Sequence, residues 1–464
     1  MDSDLIRESR HAYFIGIGGV GMSALARVLR HQGLRVSGSD SKETYTTREL
    51  LKNGIPVAIG QKEVGFTDAD MIIYSSAIQP DHIELRAARS LGRKIYHRAE
   101  ILSSLLNRAK TSIAITGTHG KTTTSSMISF ILTELGKNPT CLVGGEVVNW
   151  GTNTVLGSSD LWVSEVDESD KTHELYAPNY AIVTNLEEDH IDHYHGLEDL
   201  KDSFERFLSH LRNPGLVVYS EDDPVLKELV LKSGRPQISF GLSPSADFSA
   251  RNIRMTDYGS EFDLYEYGLF SIPIKLSVPG MHNIANALAA LSVFAQLGLD
   301  MDSIPPYFFK FRGARRRLEI KWSSKDCTVI DDYAHHPTEV RASIRALRRT
   351  GQRLTVVFQP HRFSRTGYFF KQFGQAFGEA DEVILTDIYG AGESNTEQID
   401  VRWIYDEVVA SGHPRVHILE KHKILEYLLL NPSRRSGTIA FLGAGDIGEL
   451  ADEFANRFKD LTPV

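Results

Sequence analysis

The sequence predicts an α/β chain built from three consecutive pieces, and three observations carry that prediction. Short β-branched runs alternate with amphipathic stretches from end to end, the pattern of parallel sheets with crossover helices. Several of those runs are continuously apolar, which suits strands covered on both faces. The chain has 464 residues, and at roughly 100–200 residues per domain two seams, near 106–110 and 311–317, divide it into 1–107, 108–312 and 313–464. The composition, 41 % hydrophobic and 24 % charged, rules out disorder and collagen-like repetition. A net charge of −9 makes a general nucleic-acid binder a poor reading, because that affinity comes from Lys and Arg on phosphates. Two cysteines, Cys141 and Cys327, are too few for a disulfide framework or a cysteine zinc site, and point to a reducing, cytoplasmic setting. No run reaches 18 apolar residues, so no membrane span is expected; the oligomeric state is not legible.

In the first piece, strands are expected at 12–17, 34–38 and 71–75. The first runs into Gly16-Ile17-Gly18-Gly19-Val20-Gly21, a G-x-G-x-x-G loop. Met22, Leu25, Ala26 and Leu29 follow at helical spacing, with Gly33 as the C-cap. Glycines there let the backbone approach a phosphate, and the helix N-terminus attracts its charge. Asp40 ends the next strand, where a ribose-binding acid would sit. The loop alone does not separate NAD from another diphosphate nucleotide, or from a tight turn with no ligand.

The middle piece opens with a strand at 112–116 and a second loop, Thr116-Gly117-Thr118-His119-Gly120-Lys121-Thr122-Thr123. Lys121 would neutralise β/γ-phosphates and Thr122 would offer a hydroxyl to Mg²⁺. Ile115 stands where the strict phosphate-loop pattern has its first glycine, so the loop is a shortened variant. The strand at 161–166 ends in Glu165 and Asp167, and another at 181–185 leads into Asn185-Leu186-Glu187-Glu188-Asp189-His190-Ile191-Asp192. Strand ends on one edge of a parallel sheet converge, so Lys121, Glu165 and His190 are expected to meet although far apart in sequence. His190, His193 and His195 match no common zinc spacing. A strand follows at 216–219, residues 241–277 read as a small antiparallel meander inserted in this piece, and 284–299 as a buried helix.

The third piece begins after a basic run: residues 310–321 hold six basic side chains and one acid. At a seam such a run can close on a nucleotide phosphate; elsewhere it is a solvated face. Strands are expected at 328–331, 354–358, 382–386 and 438–442. Behind the first lie Asp331 to Pro337, with Pro337 suited to a helix N1 position, and behind the second Gln359 to Arg365. His335, Arg362 and Arg365 together could hold a carboxylate, though each could also be structural. A third glycine loop, 443–448, fits ligand binding and close helix packing equally.

Taken together, the stretches 14–25 (FIGIGGVGMSAL), 115–124 (ITGTHGKTTT), 165–170 (EVDESD), 182–192 (IVTNLEEDHID), 280–288 (GMHNIANAL), 311–317 (FRGARRR), 331–340 (DDYAHHPTEV) and 358–365 (FQPHRFSR) resemble the Mur ligase family, in family order along nearly the whole chain. The resemblance is strongest to the branch that adds L-alanine to UDP-N-acetylmuramate with ATP and Mg²⁺. It implies an N-terminal Rossmann-like domain holding the uridine diphosphate, a central P-loop-type ATPase domain with a mainly parallel sheet, and a C-terminal Rossmann-like domain that closes over the site. It assigns Gly117, Thr118, His119, Gly120, Lys121, Thr122 and Thr123 to the phosphate loop, and Thr122, Glu165 and His190 to Mg²⁺. Asn283 and Asn286 would contact the adenine side, and Arg317 and Asp332 would reach ATP from the third domain. His335, Arg362 and Arg365 would position L-alanine and the reacting carboxylate, with Lys121 completing the catalytic group. Gly16, Gly18, Gly19, Val20, Gly21, Asp40, Ser75, Ser76 and His97 would contact the sugar nucleotide. Some relatives carry a carbamylated lysine in the helix after the D-H-x-D turn; here Phe204 stands at that place and Lys201 is off-register. The rival readings are a family member that reattaches a recycled tripeptide and, from the first loop alone, a nicotinamide-dependent oxidoreductase.

Overall fold

The computed structural model describes residues 6, 9–60, 65–189, 192–256, 259–349, 351–430 and 436–461. Three sheets follow one another along the chain. The first comprises β1 (His11–Ile15), β2 (Arg35–Asp40), β3 (Val57–Ile59), β4 (Met71–Tyr74) and β5 (Lys94–His97), all parallel in the order β3-β2-β1-β4-β5. The order reverses at β1, so a crevice opens beyond its C-terminal end, where the G-x-G-x-x-G loop lies. The helix Val20–His31 starts directly from that loop and buries Met22, Leu25, Ala26, Val28 and Leu29.

The second sheet has ten strands: β6 (Thr111–Thr116), β7 (Thr140–Val147), β8 (Thr152–Val155), β9 (Leu161–Glu165), β10 (Tyr180–Val183), β11 (Leu216–Ser220), β12 (Gln237–Gly241), β13 (Phe248–Met255), β14 (Ser260–Glu266) and β15 (Leu269–Leu276). Their order is β15-β14-β13-β12-β11-β10-β6-β9-β7-β8, parallel from β13 to β7. The expected meander is present as β13 to β15. It continues the main sheet at one edge, through the β12–β13 pairing, and is no separate insert. Strand β7 escaped the sequence reading because Gly144-Gly145 interrupts it, and glycine weakens a strand interior. The helices Lys121–Glu134 and Met281–Gln296 pack together over the buried residues Ile113, Ile115, Ile182 and Val218.

The third sheet contains β16 (Glu319–Ser323), β17 (Cys327–Asp332), β18 (Leu354–Phe358), β19 (Glu382–Leu385), β20 (Val416–Ile418) and β21 (Gly437–Leu442), in the order β16-β17-β21-β18-β19-β20. It is parallel except for the edge strand β16. Cys141 and Cys327 are both buried free thiols, pushed up to about 12 chiefly by burial. Among the described residues no helix is long and apolar enough to cross a membrane.

The domains meet in two different ways. Leu102, Leu105 and Leu106 share one apolar core with Leu142, Val166 and Tyr176, so the first and second domains are packed as one body. The third domain has its own cores. Across its seam with the middle domain runs a row of polar side chains: Arg365 with Asp189, Arg362 with Asp192, Tyr368 with Glu188 and Thr338 with Glu187. A domain held by such polar pairs can open and close.

Candidate active site

The loop after β6 is held open by its neighbours. Gly117 has φ +116°, and a Cβ there would lie 2.5 Å from Thr184 Oγ1. Gly120 has φ +84°, and its Cβ would lie 2.6 Å from Asn286 Oδ1. Both positions therefore require glycine, for backbone conformation and for space. Asn185 clamps the loop from both sides: its Oδ1 accepts from His119 N at 2.8 Å and its Nδ2 donates to the His119 carbonyl at 3.0 Å. The helix Lys121–Glu134 starts there and aims its first N–H groups into the loop.

Lys121 Nζ donates to the carbonyls of Gly117 and Thr118, at 2.6 and 3.0 Å, and to Glu168 Oε1 at 2.9 Å. Burial alone would depress the ammonium, but Glu168, Asp167 and Glu165 outweigh it and hold the group above the ordinary lysine value. Glu165 ends β9 opposite. Its carboxylate accepts from Thr122 Oγ1 at 3.0 Å, Ser125 Oγ at 3.2 Å and Gly144 N at 2.8 Å. Burial raises Glu165, against the pull of Lys121 and the Gly144 amide. His190 lies outside the described residues. His193 lines the cavity rim with Asp189 and Asp192.

From the third domain, Arg317 reaches over the loop, 3.7 Å from Glu339 and with its guanidinium 5.1 Å from the Tyr333 ring centre. Asp332 lines the same cavity, but its oxygens are engaged by the Leu318 and Ala334 amides and the Ser343 hydroxyl. It thus shapes the turn that carries Arg317. His335 donates from Nδ1 to the Tyr333 carbonyl at 2.9 Å, which leaves the Nε2 lone pair for the cavity. Arg365 grips Asp189 in a bidentate fork at 3.0–3.3 Å, and Arg362 pairs with Asp192 at 2.5 Å and Glu393 at 2.6 Å. Arg362 also has φ +69°, a conformation arginine adopts at a cost and one often found at functional sites. Both arginines thus already hold carboxylates of the middle domain, Asp189 and Asp192.

In the first domain, Gly18 N donates to Asp40 Oδ2 at 2.8 Å, and Gly16 N and Ile17 N donate to the Ser39 carbonyl at 2.9 Å each. Asp40 therefore pins the loop that it faces. Ser76 Oγ bonds His97 Nε2 at 3.0 Å and Asp170, which ties the first domain to the acidic turn after β9. The third glycine loop is filled by protein: a Cβ on Gly445 would lie 2.5 Å from Gln359 Oε1, and that oxygen accepts from Ile447 N at 3.1 Å. Close packing accounts for its glycines.

Three cavities join end to end along these residues. A cavity of about 260 Å³ runs from Gly19–Met22 and Ser75 to Gly144 and Glu165. It shares Val20, Gly144, Glu165 and Asp167 with one of about 590 Å³ that holds Lys121, His335, Arg362 and Arg365. That shares His119, Gly120, Arg317 and Glu339 with a third, of about 470 Å³, lined by His282, Asn283, Asn286 and Ser343. Together they form one continuous groove past the loop 116–123.

The chain matches three family descriptions in order: Mur ligase family, catalytic domain, over residues 11–110; Mur ligase middle domain over 115–294; and Mur ligase, glutamate ligase domain, over 316–445. It belongs to the Mur ligase family. This Mur ligase is 40 % identical over 457 residues to the UDP-N-acetylmuramate–L-alanine ligase of Pelotomaculum thermopropionicum, covering 98 % of each chain. It is 41 % identical over 459 residues to the enzyme of the same name from Gloeobacter violaceus, covering 98 % of each. Its structure is similar to that of UDP-N-acetylmuramate-alanine ligase from Thermotoga maritima, with a TM-score of 0.83 and 30 % identity over 97 % of this chain and 100 % of that one.

Several residues of this Mur ligase emerge only from the structure. Glu168 is the buried partner of Lys121, and Asp189 and Asp192 are the partners of the two arginines. Glu339 gathers His119, His335 and Arg317. Phe204 is buried against His173 and Phe207, and Lys201 pairs with Glu198 at 3.0 Å.

The site's histidines make the fold acid-sensitive. Burial depresses His335 to about 3, and His282, His336 and His361 to about 4, so each is neutral in the fold. In the unfolded chain they titrate near 6.5. Between pH 6.5 and 4 the unfolded state binds more protons, so stability falls as pH falls, by up to about 1.4 kcal/mol per pH unit for each histidine. His119 has the opposite sign. Against the effect of burial, Glu187 and Glu339 raise it to about 9, so its contribution is full below pH 6.5 and is lost as pH rises through 9. Thermal unfolding at a series of pH values should give a maximum near neutrality, and His119→Gln should flatten only the alkaline side. An unchanged alkaline limb in that variant would refute the assignment.

Proposed function

We propose that this Mur ligase joins L-alanine to the muramoyl carboxylate of UDP-N-acetylmuramate, consuming ATP and releasing ADP and phosphate in peptidoglycan precursor synthesis. The observation that carries the reading is the continuous line of cavities, with the glycine loop at one end, a nucleoside slot at the other and Lys121, Glu165, His335 and two arginines between. The division 1–107, 108–312 and 313–464 assigns the sugar nucleotide to the first domain, ATP to the second and the amino acid to the third.

The carboxylate attacks the γ-phosphate of ATP to give an acyl phosphate and ADP; the amine of L-alanine then attacks the acyl carbon, and phosphate leaves. Two anions must first approach each other. Lys121, the helix N-terminus at Thr122 and Thr123, and Arg317 offset that repulsion. Lys121 would give up its contacts to the loop carbonyls for the phosphate. Asn283 and Asn286 face the slot for the adenine side. Arg362 and Arg365 would hold the alanine carboxylate by loosening their pairs with Asp192 and Asp189, and the Nε2 of His335 suits a hydrogen bond from its amine. Domain closure excludes the water that would hydrolyse the acyl phosphate.

Thr122 Oγ1 and Glu165 Oε1, 3.0 Å apart on the cavity wall, are hard oxygen donors of the kind Mg²⁺ takes, so the site fits that ion. With His190 they would hold Mg²⁺, which supplies positive charge to the phosphate oxygens.

Phosphate release with UDP-N-acetylmuramate, ATP, Mg²⁺ and a panel of amino acids tests the reading. Turnover is expected with L-alanine and only in the presence of the sugar nucleotide. Turnover with an L-alanyl tripeptide in place of L-alanine would move the chain to the recycling branch. NAD binding without ATP turnover would overturn the assignment.

A further inference from the structure

His119 sits inside the phosphate loop and lines the cavity there, but both of its ring nitrogens are engaged by carboxylates at the domain seam. Its peptide is locked to the middle domain: the amide donates to Asn185 Oδ1 at 2.8 Å, and the carbonyl accepts from Thr184 Oγ1 at 2.5 Å and Asn185 Nδ2 at 3.0 Å. The ring then points across the seam. Nε2 lies 2.9 Å from Glu187 Oε2 in its own domain, and Nδ1 lies 3.3 Å from Glu339 Oε1 in the third. Flanked by a carboxylate on each side, the ring donates from both nitrogens. Thr338 adds a parallel strut, donating to Glu187 Oε1 at 2.6 Å.

Glu339 is where that contact enters the third domain's machinery. Its other oxygen accepts from the amides of His335 at 3.1 Å and His336 at 3.3 Å, and so caps the helix Pro337–Leu347. Its Oε1 also lies 3.7 Å from Arg317. One carboxylate therefore sets His335 and Arg317, third-domain groups that line the cavity at the phosphate loop, and His119 holds that carboxylate to the loop. Both side chains are about one-seventh exposed, 15 % for His119 and 13 % for Glu339, so water screens the pair weakly.

We propose that His119 is a positioning residue of the ligation reaction: its ring clasps Glu339 across the domain seam, so that Arg317 and His335 are aligned on the nucleotide only when the third domain is docked on the phosphate loop. The proposal rests on the ATP-dependent ligation above. It assigns His119 no contact with phosphate, which separates it from Lys121 and Thr122 in the same loop.

The test is a double-mutant cycle on steady-state ligation, with His119→Ala, Glu339→Gln and the pair. His119→Ala should lower kcat by about 30–100-fold, the scale of a misplacement of about 1 Å, and raise the L-alanine KM. The ATP KM should stay within about threefold, because loop backbone and Lys121 still meet the phosphates. Glu339→Gln should do the same, and the double variant should be no worse than the poorer single one, a coupling of about tenfold or more. Independent effects that multiply would overturn the clasp, as would wild-type kcat and alanine KM in His119→Ala. A rise in ATP KM with kcat unchanged would make His119 a phosphate ligand and would also overturn it. Should His119→Ala fail to fold, His119→Gln replaces it in the same cycle, since its amide keeps one of the two contacts. Wild-type turnover in the same assay separates failure of this proposal from failure of the activity itself.

Discussion

Replacing Lys121 by alanine is expected to lower kcat by about 10³-fold or more, the scale seen when a preorganised positive group is removed from a developing phosphoryl charge. The loss should fall on kcat more than on ATP affinity, because the loop amides remain. The same substitution should also lower stability, for a reason unrelated to catalysis. Lys121 is the ammonium facing Glu168, which is fully buried. Removing one partner of a buried pair costs about 3–5 kcal/mol, since the other charge stays in the interior. The two effects can be pulled apart. Lys121→Met combined with Glu168→Gln removes both charges and should recover most of the melting temperature while leaving ligation as low as in Lys121→Ala. If the double variant regained activity with its stability, Lys121 would be structural and the phosphate-loop assignment would fall.

That contrast also marks what was legible in the sequence. The G-K-T-T run after a buried strand announced Lys121 and Thr122, and the acid-ended strand announced Glu165, because each motif is local and its chemistry follows from adjacent residues. Parallel-sheet topology then brought them together, as strand ends on one edge must converge. The partners were not legible. Arg365 and Asp189 are 176 residues apart, and His119 and Glu339 are 220 apart. Nothing in the local pattern of either pair names the other. Asp332 shows the converse: its place beside the site was legible, but not that its oxygens face Leu318, Ala334 and Ser343. In the sheet the same limit appears at β7, where two glycines obscure the strand. The reason for the first, Gly144, is the place taken by Glu165, which lies on a different strand.

That reason makes Gly144→Ala the second large effect. Gly144 N donates to Glu165 Oε2 at 2.8 Å, and a Cβ on Gly144 would lie 2.1 Å from Glu165 Oε1 and 2.4 Å from its Cδ. No atom can stay there. Gly144 lies in an extended strand that alanine can adopt, so the backbone carries no penalty. What must yield is the end of a flexible side chain, and the carboxylate has to leave the Thr122 and Ser125 hydroxyls that now orient it. The fold should survive, with a melting temperature within a few degrees of the native protein, a shift of about 1 kcal/mol or less for a chain of this size. Ligation should not: kcat is expected to fall by about 10²-fold, and the Mg²⁺ concentration for half-maximal rate to rise by about tenfold or more, the scale of a displaced metal-orienting group. Gly145→Ala is the control one residue away. Its Cβ would meet only the Thr122 methyl, at 3.1 Å, a contact that a few tenths of an ångström relieve. It should retain most of the activity and an unchanged Mg²⁺ requirement. Equal losses at the two positions would mean that β7 is merely intolerant of side chains. A Mg²⁺ titration unmoved in Gly144→Ala would overturn the proposed role of Glu165 in holding Mg²⁺.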